Sequence, residues 1–521
     1  MEFIRNFPFF SIVLSLFSGP LSSILGGKWA RRVNGAVIVL CGIMSGAVLW
    51  YVCRTGESFV YIMGHFPAPW GNEIRAGILE ALMAVIFCVI MLLCMLGGIR
   101  EREREIEVSK QNLYYIMVDL LLCSLLALIY TNDLFTAYVF VEINTISACG
   151  LIMIRQNGRT ITAATRYMIM SLLGSGLLLL GLCFLYDLTG HLLMSNIQES
   201  VHALAASGQY QTPLLMAICL MCVGLAIKSA LFPFHTWLPD AYGYSTVSSA
   251  AILSSLVSKG YIFLLVKIFY RVIGFDIIRD SKVIHVLFAF GIAGMIMGSI
   301  DAIRENDIRR MIAYSSVAQI GYIYMGFGLG TAEGVVASIY HIICHAATKS
   351  LLFVAASGIT DVSGGSRCFK DLDAAAYRNK LAGVAFTVGS LSMVGVPMFA
   401  GFISKLFFSQ AAVGHTVKML PTLIALAIST ILNAVYFMKT VIRIYSPIKE
   451  GSIKKEVETA AEVETIGMKA AGLPEGYKEI SLMQQPVKAV ALILFILLNI
   501  VLGLNSEPLI RLIRQGLEMF S

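Results

Sequence analysis

About fourteen stretches of this chain, each close to 20 residues long and almost free of charge, follow one another from residues 7–26 to residues 487–505. Twenty helical residues rise about 30 Å, which is the thickness of the hydrocarbon core of a bilayer. No water is available there to satisfy backbone N–H and C=O groups, so a spanning segment of this kind must be a helix. The expected fold is therefore an all-α polytopic membrane protein with about 14 transmembrane helices. Composition agrees: 57% of the 521 residues are hydrophobic and 14% are charged, against roughly 25% charged in soluble domains. The length then reflects many spans and not several soluble domains. "MEFIRNFPFFSIVLSLFSGP" runs straight into a full span, so no cleavable leader is expected.

The loops suggest an orientation. Lys28, Arg31 and Arg32 follow span 1; Arg100, Arg102, Arg104 and Lys110 follow span 3; Arg155 and Arg159 follow span 5. Arg304, Arg309 and Arg310 follow span 9, and Arg367, Lys370, Arg378 and Lys380 follow span 11. The connections after spans 4, 6 and 10 carry no Lys or Arg. Positive loops stay inside, which puts both termini outside the cell membrane. The basic connection Arg271, Arg279, Lys282 after span 8 runs against this pattern. The net charge of +7 belongs to such loops and not to a nucleic-acid site. "REREREIEVSK" (100–110) is expected to be a solvated helix extension held by ion pairs of alternating sign. Residues 446–488 are polar and read as a helix-forming loop, with Pro474-Glu475-Gly476 as a turn.

Charges also occur inside the spans. Glu142 lies in "FTAYVFVEINTISACG" and Lys228 in "GLAIKSALFPFHTWLPDA", which also holds His235. Lys259 lies in "AILSSLVSKGYIFLLV". His341, His345 and Lys349 lie in "SIYHIICHAATKSLLFVAA", and Lys405 in "VGVPMFAGFISKLFF". Each charge at mid-bilayer costs about 2.5–3.5 kcal/mol or more. A series of them points to an ion path. The residue types suit protons: a buried lysine can be brought toward neutrality, histidine titrates near neutral pH, and a carboxylate beside a lysine holds it charged. Glu142 is expected to do that for Lys228. Lys259 and His345 are expected to face each other through water. Arginine would not serve, and none is expected deep in a span.

Pro233 follows Lys228, and Pro397 precedes Lys405. Proline frees backbone carbonyls, which must face protein or water. Helix breaks at corresponding places in two halves mark transporter sites. Spans 4–8 and 9–13 would be those halves, with Lys228 and Lys405 as equivalents. "HIICH" (341–345) has Ile342 where a zincin has its base and lacks a third ligand, so no metal is expected. The pair Cys219/Cys222 has no second pair, which leaves it short of a zinc set.

Seven motifs appear in order: "TNDLFTAYVFVEI" (131–143), "AATRYMIMSLLGSG" (163–176), "YDLTG" (186–190), "KSALFPFHTWLPDA" (228–241), "NDIRRMIAYSSVAQIGY" (306–322), "HAATKSLLF" (345–353) and "GVPMFAGFISK" (395–405). With them the chain resembles the antiporter-like membrane subunits of complex I (NADH:quinone oxidoreductase), the Mrp antiporter subunits, above all the D type, and the membrane arms of energy-converting hydrogenases. The resemblance implies two inverted five-helix repeats, broken helices 7 and 12, and a charged axis at the membrane midplane. It implies a proton path through Glu142, Lys228, His235, Lys259, His341, His345, Lys349 and Lys405. The implied organisation is 1–112 (helices 1–3), 113–271 (first repeat), 272–445 (second repeat) and 446–521 (loop, last helix and tail).

The chain departs from the family pattern in "YGYSTVSSA" after "WLPDA", at Gly77, and at Asn379-Lys380. The implied role is a proton-translocating subunit; the D-type subunit of an Mrp-type Na⁺/H⁺ antiporter is the alternative. No haem, Fe–S or nucleotide motif is present, so no cofactor is expected and any redox enzyme activity would lie in other subunits. The expected partners are those membrane subunits, H⁺ and, as a second ion, Na⁺, and the lipid bilayer.

Overall fold

The computed structural model describes residues 2–66, 71–414, 417–447, 480 and 484–520. Most of the polar loop expected over 446–488, with its Pro474 turn, lies outside the described residues. The helices begin with α1 (Phe7–Ile24), α2 (Gly27–Thr55), α3 (Ile78–Gly97), α4 (Gln111–Tyr130), α5 (Leu134–Met153) and α6 (Gly158–Thr189). Next come α7 (Gln211–Ser229), α8 (Leu238–Tyr244) and α9 (Val247–Ile273), the last with π-helical turns at Leu253–Val257 and Ile268–Ile273. Then follow α10 (Val283–Arg304), α11 (Ile308–Gly328), α12 (Ala332–Asp361), α13 (Lys380–Val394), α14 (Ala400–Val413), α15 (Met419–Tyr445), α16 (Pro486–Leu504) and α17 (Glu507–Glu518), with shorter helices in the connections, the longest being Met194–Ser207.

Among the described residues, 12 helical segments are long and apolar enough to cross a membrane, with α7 and α8 counted as one. α11 is not among them because its polar side chains lower its hydropathy, yet nearly all of its side chains are buried. α13 and α14 are each too short to cross alone. One element departs from the all-α expectation. Between α2 and α3, β1 (Phe59–Ile62) pairs antiparallel with β2 (Glu73–Ala76), with Phe59 opposite Ala76 and Ile62 opposite Glu73. Burial alternates along β2, a period-two pattern too short to stand out beside 20-residue spans.

α9 is buried along its whole length and α12 from Gly334 to Thr360, and the two form the centre of the bundle. α1, α2, α6 and α15 are outer helices with exposed apolar faces. No hydrophobic force draws helices together in lipid, so close backbone contact at small residues takes that role. α10 and α11 show it best. A Cβ on Gly321 would lie 2.6 Å from the carbonyl oxygen of Gly291 and 2.6 Å from the amide nitrogen of Met295. α6 and α7 cross in the same way: a Cβ on Gly224 would lie 2.6 Å from the Gly174 oxygen.

The end of the bundle that carries the basic loops is tied by buried ion pairs. Residues Ile99–Glu105 are helical as expected, but they are not uniformly solvated. Glu101 and Arg102 are each 2% exposed. Glu101 accepts from Lys488 of α16 and from Ser357 Oγ of α12 at 3.1 Å. Arg102 lies over the rings of Tyr114 and Tyr115. Asp361 receives Arg104 at 2.9 Å and Lys488 at 3.4 Å. Glu101 and Arg104 therefore dock this segment against α12 and α16, while Glu103 pairs with Arg31 of α2 nearer the surface.

The basic connection after span 8 also changes meaning. Arg271 lies within α9, is 1% exposed and pairs with Glu80. Arg279 pairs with Asp276 at 3.0 Å. Lys282 is then the remaining cation of that stretch. Arg271 lies in the last turn of α9, at the end of the span, where Glu80 of α3 supplies the counter-charge.

Gly321→Ala is expected to cost about 1–3 kcal/mol through overpacking, read as a lower midpoint of thermal unfolding in detergent. Gly46→Ala, whose new methyl meets nothing within 4 Å, should leave that midpoint unchanged. Lys488→Ala should destabilise by about 3–5 kcal/mol, since it strands the buried Glu101 carboxylate. Adding Glu101→Gln should recover much of that loss in the same melt.

Candidate functional site

The helix interruptions explain why the charged side chains sit where they do. α7 ends at Ser229, where Ala230 takes a left-handed φ of 62°, and the helical path resumes at Leu238. α13 ends at Val394, with Gly395 at φ 91° and Met398 at φ 79°, before α14 starts at Ala400. Each interruption leaves carbonyls without an amide from the following turn. Lys228 lies one residue before the first break, and Lys405 lies in the second turn after the second.

Lys228 Nζ donates to Thr145 Oγ1 of α5 at 2.7 Å and stands 5.3 Å from the centre of the Tyr261 ring. Thr145, not Glu142, is therefore its direct partner. Glu142 is one turn earlier on α5 and reaches Lys228 only through its field. Among the described residues no ion pair or hydrogen bond joins Glu142 to Lys228, whose bonded neighbour is the Thr145 hydroxyl. Tyr261 Oη lies 3.3 Å from Thr145 Oγ1 and donates to Asn144 Oδ1 at 3.0 Å; Asn144 in turn donates to Ser124 Oγ at 3.0 Å.

Lys259 is wholly buried, and its ammonium donates to the carbonyl of Ser254. That carbonyl belongs to the first π turn of α9, where the backbone bonds are shifted by one residue. The same turn packs against α12. His345 of α12 is 1% exposed, and both of its ring nitrogens lack a partner among the described residues. Lys259 and His345 thus lie on packed helices with no direct bond between their side chains among the described residues.

His341 and His345 stack with ring centres 5.9 Å apart, and Tyr322 stacks on His341 at 5.4 Å. Parallel stacking does not point both rings at one metal, and among the described residues no group of three His, Cys, Asp or Glu could hold one. His341 Nδ1 lies 3.0 Å from Ser404 Oγ. The next residue, Lys405, donates to the carbonyl of Val394 at 2.6 Å and to Thr430 Oγ1 at 3.0 Å. Lys349 donates to the Ile312 carbonyl at 2.8 Å and to Ser315 Oγ.

His235 lies 3.6 Å from Asp301 Oδ2 of α10 and stacks on Phe232. Sequence reasoning missed Thr145, Tyr261, Ser404, Thr430 and Ser315. Hydroxyl side chains are common in spans and carry no charge, so nothing marks them before their lysines are seen.

Between its ends the row is closed: Lys228, Lys259, His341, His345 and Lys349 are all buried. Glu142 and Lys405 are half-buried. Glu142 shares a helix face with the exposed Phe135, Val139 and Ile146. Lys405 lies beside α15, which exposes Ile424, Ile428 and Ile431.

The sequence model described as NADH:quinone oxidoreductase/Mrp antiporter, TM, matches residues 131–432. NADH-quinone oxidoreductase subunit N of Desulforudis audaxviator is 32% identical over 445 residues, covering 84% of this chain and 86% of that protein. Putative antiporter subunit mnhD2 of Staphylococcus aureus is 29% identical over 405 residues, covering 76% and 78%. Two solved structures share the fold. In the archaeal membrane-bound sulfane sulfur reductase, one chain superposes with a TM-score of 0.83 at 24% identity, covering 100% of this chain and 98% of that one. In the Mrp complex of Dietzia sp., one chain superposes with a TM-score of 0.81 at 24% identity, covering 99% and 97%. The match over most of the charged row and over more than half of the chain makes this protein a member of the NADH:quinone oxidoreductase/Mrp antiporter transmembrane family.

Proposed function

We propose that this chain is a proton-translocating, antiporter-like subunit of a multi-subunit membrane complex of the NADH:quinone oxidoreductase or hydrogenase type. Protons move along Glu142, Lys228, Lys259, His341, His345, Lys349 and Lys405, with His235 and Asp301 as a side branch. The observation that carries this reading is the row itself: Lys228, Lys259, His341, His345 and Lys349 are buried, and Glu142 and Lys405 are half-buried. A lysine held by a hydroxyl or a carbonyl can lose its proton without leaving a stranded carboxylate, which a relay requires.

The fourteen-span reading follows if α7 with α8, and α13 with α14, each form one broken span and α11 is a polar span. The chain then divides into 1–112, an inverted pair of repeats at 113–271 and 272–445, and 446–521. The Lys and Arg residues after spans 1, 3, 5, 9 and 11 support both termini lying outside, with the connection after span 8 as the exception. Neighbouring membrane subunits cover the half-buried ends of the row, and electron transfer, where the complex performs it, belongs to them. The second reading is the D-type subunit of an Mrp-type Na⁺/H⁺ antiporter, favoured by the mnhD2 relative and the Dietzia structure. Identifying the subunits that purify with the chain separates the two.

Lys259→Arg keeps the charge and removes deprotonation at working pH. It is expected to slow proton translocation by about 100-fold, the low end for a positioned proton-transfer group, and nearly as far as Lys259→Ala. Normal pumping by Lys259→Arg in proteoliposomes would refute the relay at that position. Glu142→Gln and Lys405→Ala should each abolish most translocation while the chain remains inserted. Lys405→Glu should retain part of it, because a carboxylate also carries protons. Thr145→Val tests the hydroxyl contact with Lys228 and should fall with Lys228→Ala in the same assay.

A further inference from the structure

A second charged site lies at the end of the bundle opposite the basic loops, and the proton path through Lys228 and Lys405 does not use it. Glu80 is in the first turn of α3 and Arg271 is in the last turn of α9. Glu80 is fully buried, and it forms an ion pair with Arg271. Glu80 Oε2 also accepts from the Gly77 amide at 3.1 Å, and Arg271 has no acceptor besides Glu80 among the described residues. Lys267, one turn earlier on α9 and also fully buried, donates to the carbonyls of Leu128 at 3.2 Å, Ile129 at 3.0 Å and Thr131 at the end of α4. Lys259 precedes Lys267 by eight residues, about 12 Å along the helix.

The cover of this site comes from the other end of the chain. α17 docks on α3, where a Cβ on Gly516 would meet the Leu79 backbone at 2.9 Å. Arg75 Nη2 then donates to the carbonyl of Met519 at 2.8 Å. The Phe520 ring, 1% exposed, lies 3.9 Å from the Arg271 guanidinium carbon and meets Phe263 and Tyr270 edge-on. An aromatic face attracts a cation, so Phe520 is drawn to Arg271 and shuts the site from the surface.

We infer that Glu80, Arg271 and Lys267 form a second proton site, reached from Lys259 along α9, and that the carboxyl-terminal turn with Phe520 is its closure. This rests on the relay reading of Lys259. A proton arriving at Glu80 converts its carboxylate to the acid and dissolves the pair with Arg271. Arg271 is then held by the Phe520 ring alone, and displacement of that ring lets the same proton leave to water and restores the carboxylate.

The test uses the complex that co-purifies with the chain, in liposomes loaded with a pH-sensitive dye, with a pH step applied and no driving reaction. Phe520→Ala is expected to raise the passive proton leak about tenfold, the effect of a barrier lowered by about 1.4 kcal/mol. Phe520→Leu, which keeps an apolar cover, should give a smaller rise and serves if Phe520→Ala does not assemble. Adding Glu80→Gln should return the leak to the wild-type value. A leak unchanged in both Phe520 variants overturns the inference. So does a raised leak that Glu80→Gln leaves untouched, because it marks simple loosening. Wild-type complex under its driving reaction is the control: if it moves no protons, the relay reading fails; if it does and the Phe520 variants leak no more than it does, only this inference fails.

Discussion

An ammonium group inside a bilayer has to be given oxygen, and here the oxygen comes from neutral atoms. Lys228 takes Thr145, Lys259 takes the Ser254 carbonyl, Lys349 takes Ile312 and Ser315, and Lys405 takes Val394 and Thr430. Several of these acceptors exist because a helix is irregular there. Val394 is the last residue of α13, and Ser254 lies in a π turn. Regular helices would have used those carbonyls internally. The breaks and the buried cations are thus one arrangement: neither is tolerable in lipid without the other. At the end with the basic loops the rule reverses, and Lys488, Arg104 and Arg310 meet carboxylates. Those contacts hold helices together, whereas neutral partners leave a lysine free to change its charge.

Much of this arrangement is legible in the amino-acid sequence. A charge in an apolar run is conspicuous, so Glu142, Lys228, Lys259, His341, His345, Lys349 and Lys405 stand out. Pro233 and the Gly395–Pro397 pair mark the stretches that follow the helix ends at Ser229 and Val394. The partners of the charges do not stand out, because Thr145, Tyr261 and Thr430 resemble any other hydroxyl in a span. The π turns of α9 have no residue signature at all. Arg271 reads as part of a connection because it sits at the edge of an apolar window, and its mate Glu80 opens another window far earlier in the chain. The run 100–110 misleads for a related reason: alternating charge reads as solvated until the acids and bases of other helices are placed against it.

Low identity with a shared fold is what close helix packing predicts. The crossings of α6 with α7 and of α10 with α11 depend on a few glycines whose backbones nearly touch. Most other positions need only be apolar and of fitting size. A chain 24% identical to this one can therefore superpose over nearly its whole length.

Glu142 and Lys405 are the two half-buried members of the row, but their ends differ. The Lys405 ammonium is held by Val394 and Thr430, whereas Glu142 shares its helix face with exposed Phe135, Val139 and Ile146. A carboxylate on a lipid-facing surface is costly unless something polar covers it, so the Glu142 face is the one whose surroundings set the charge at that end.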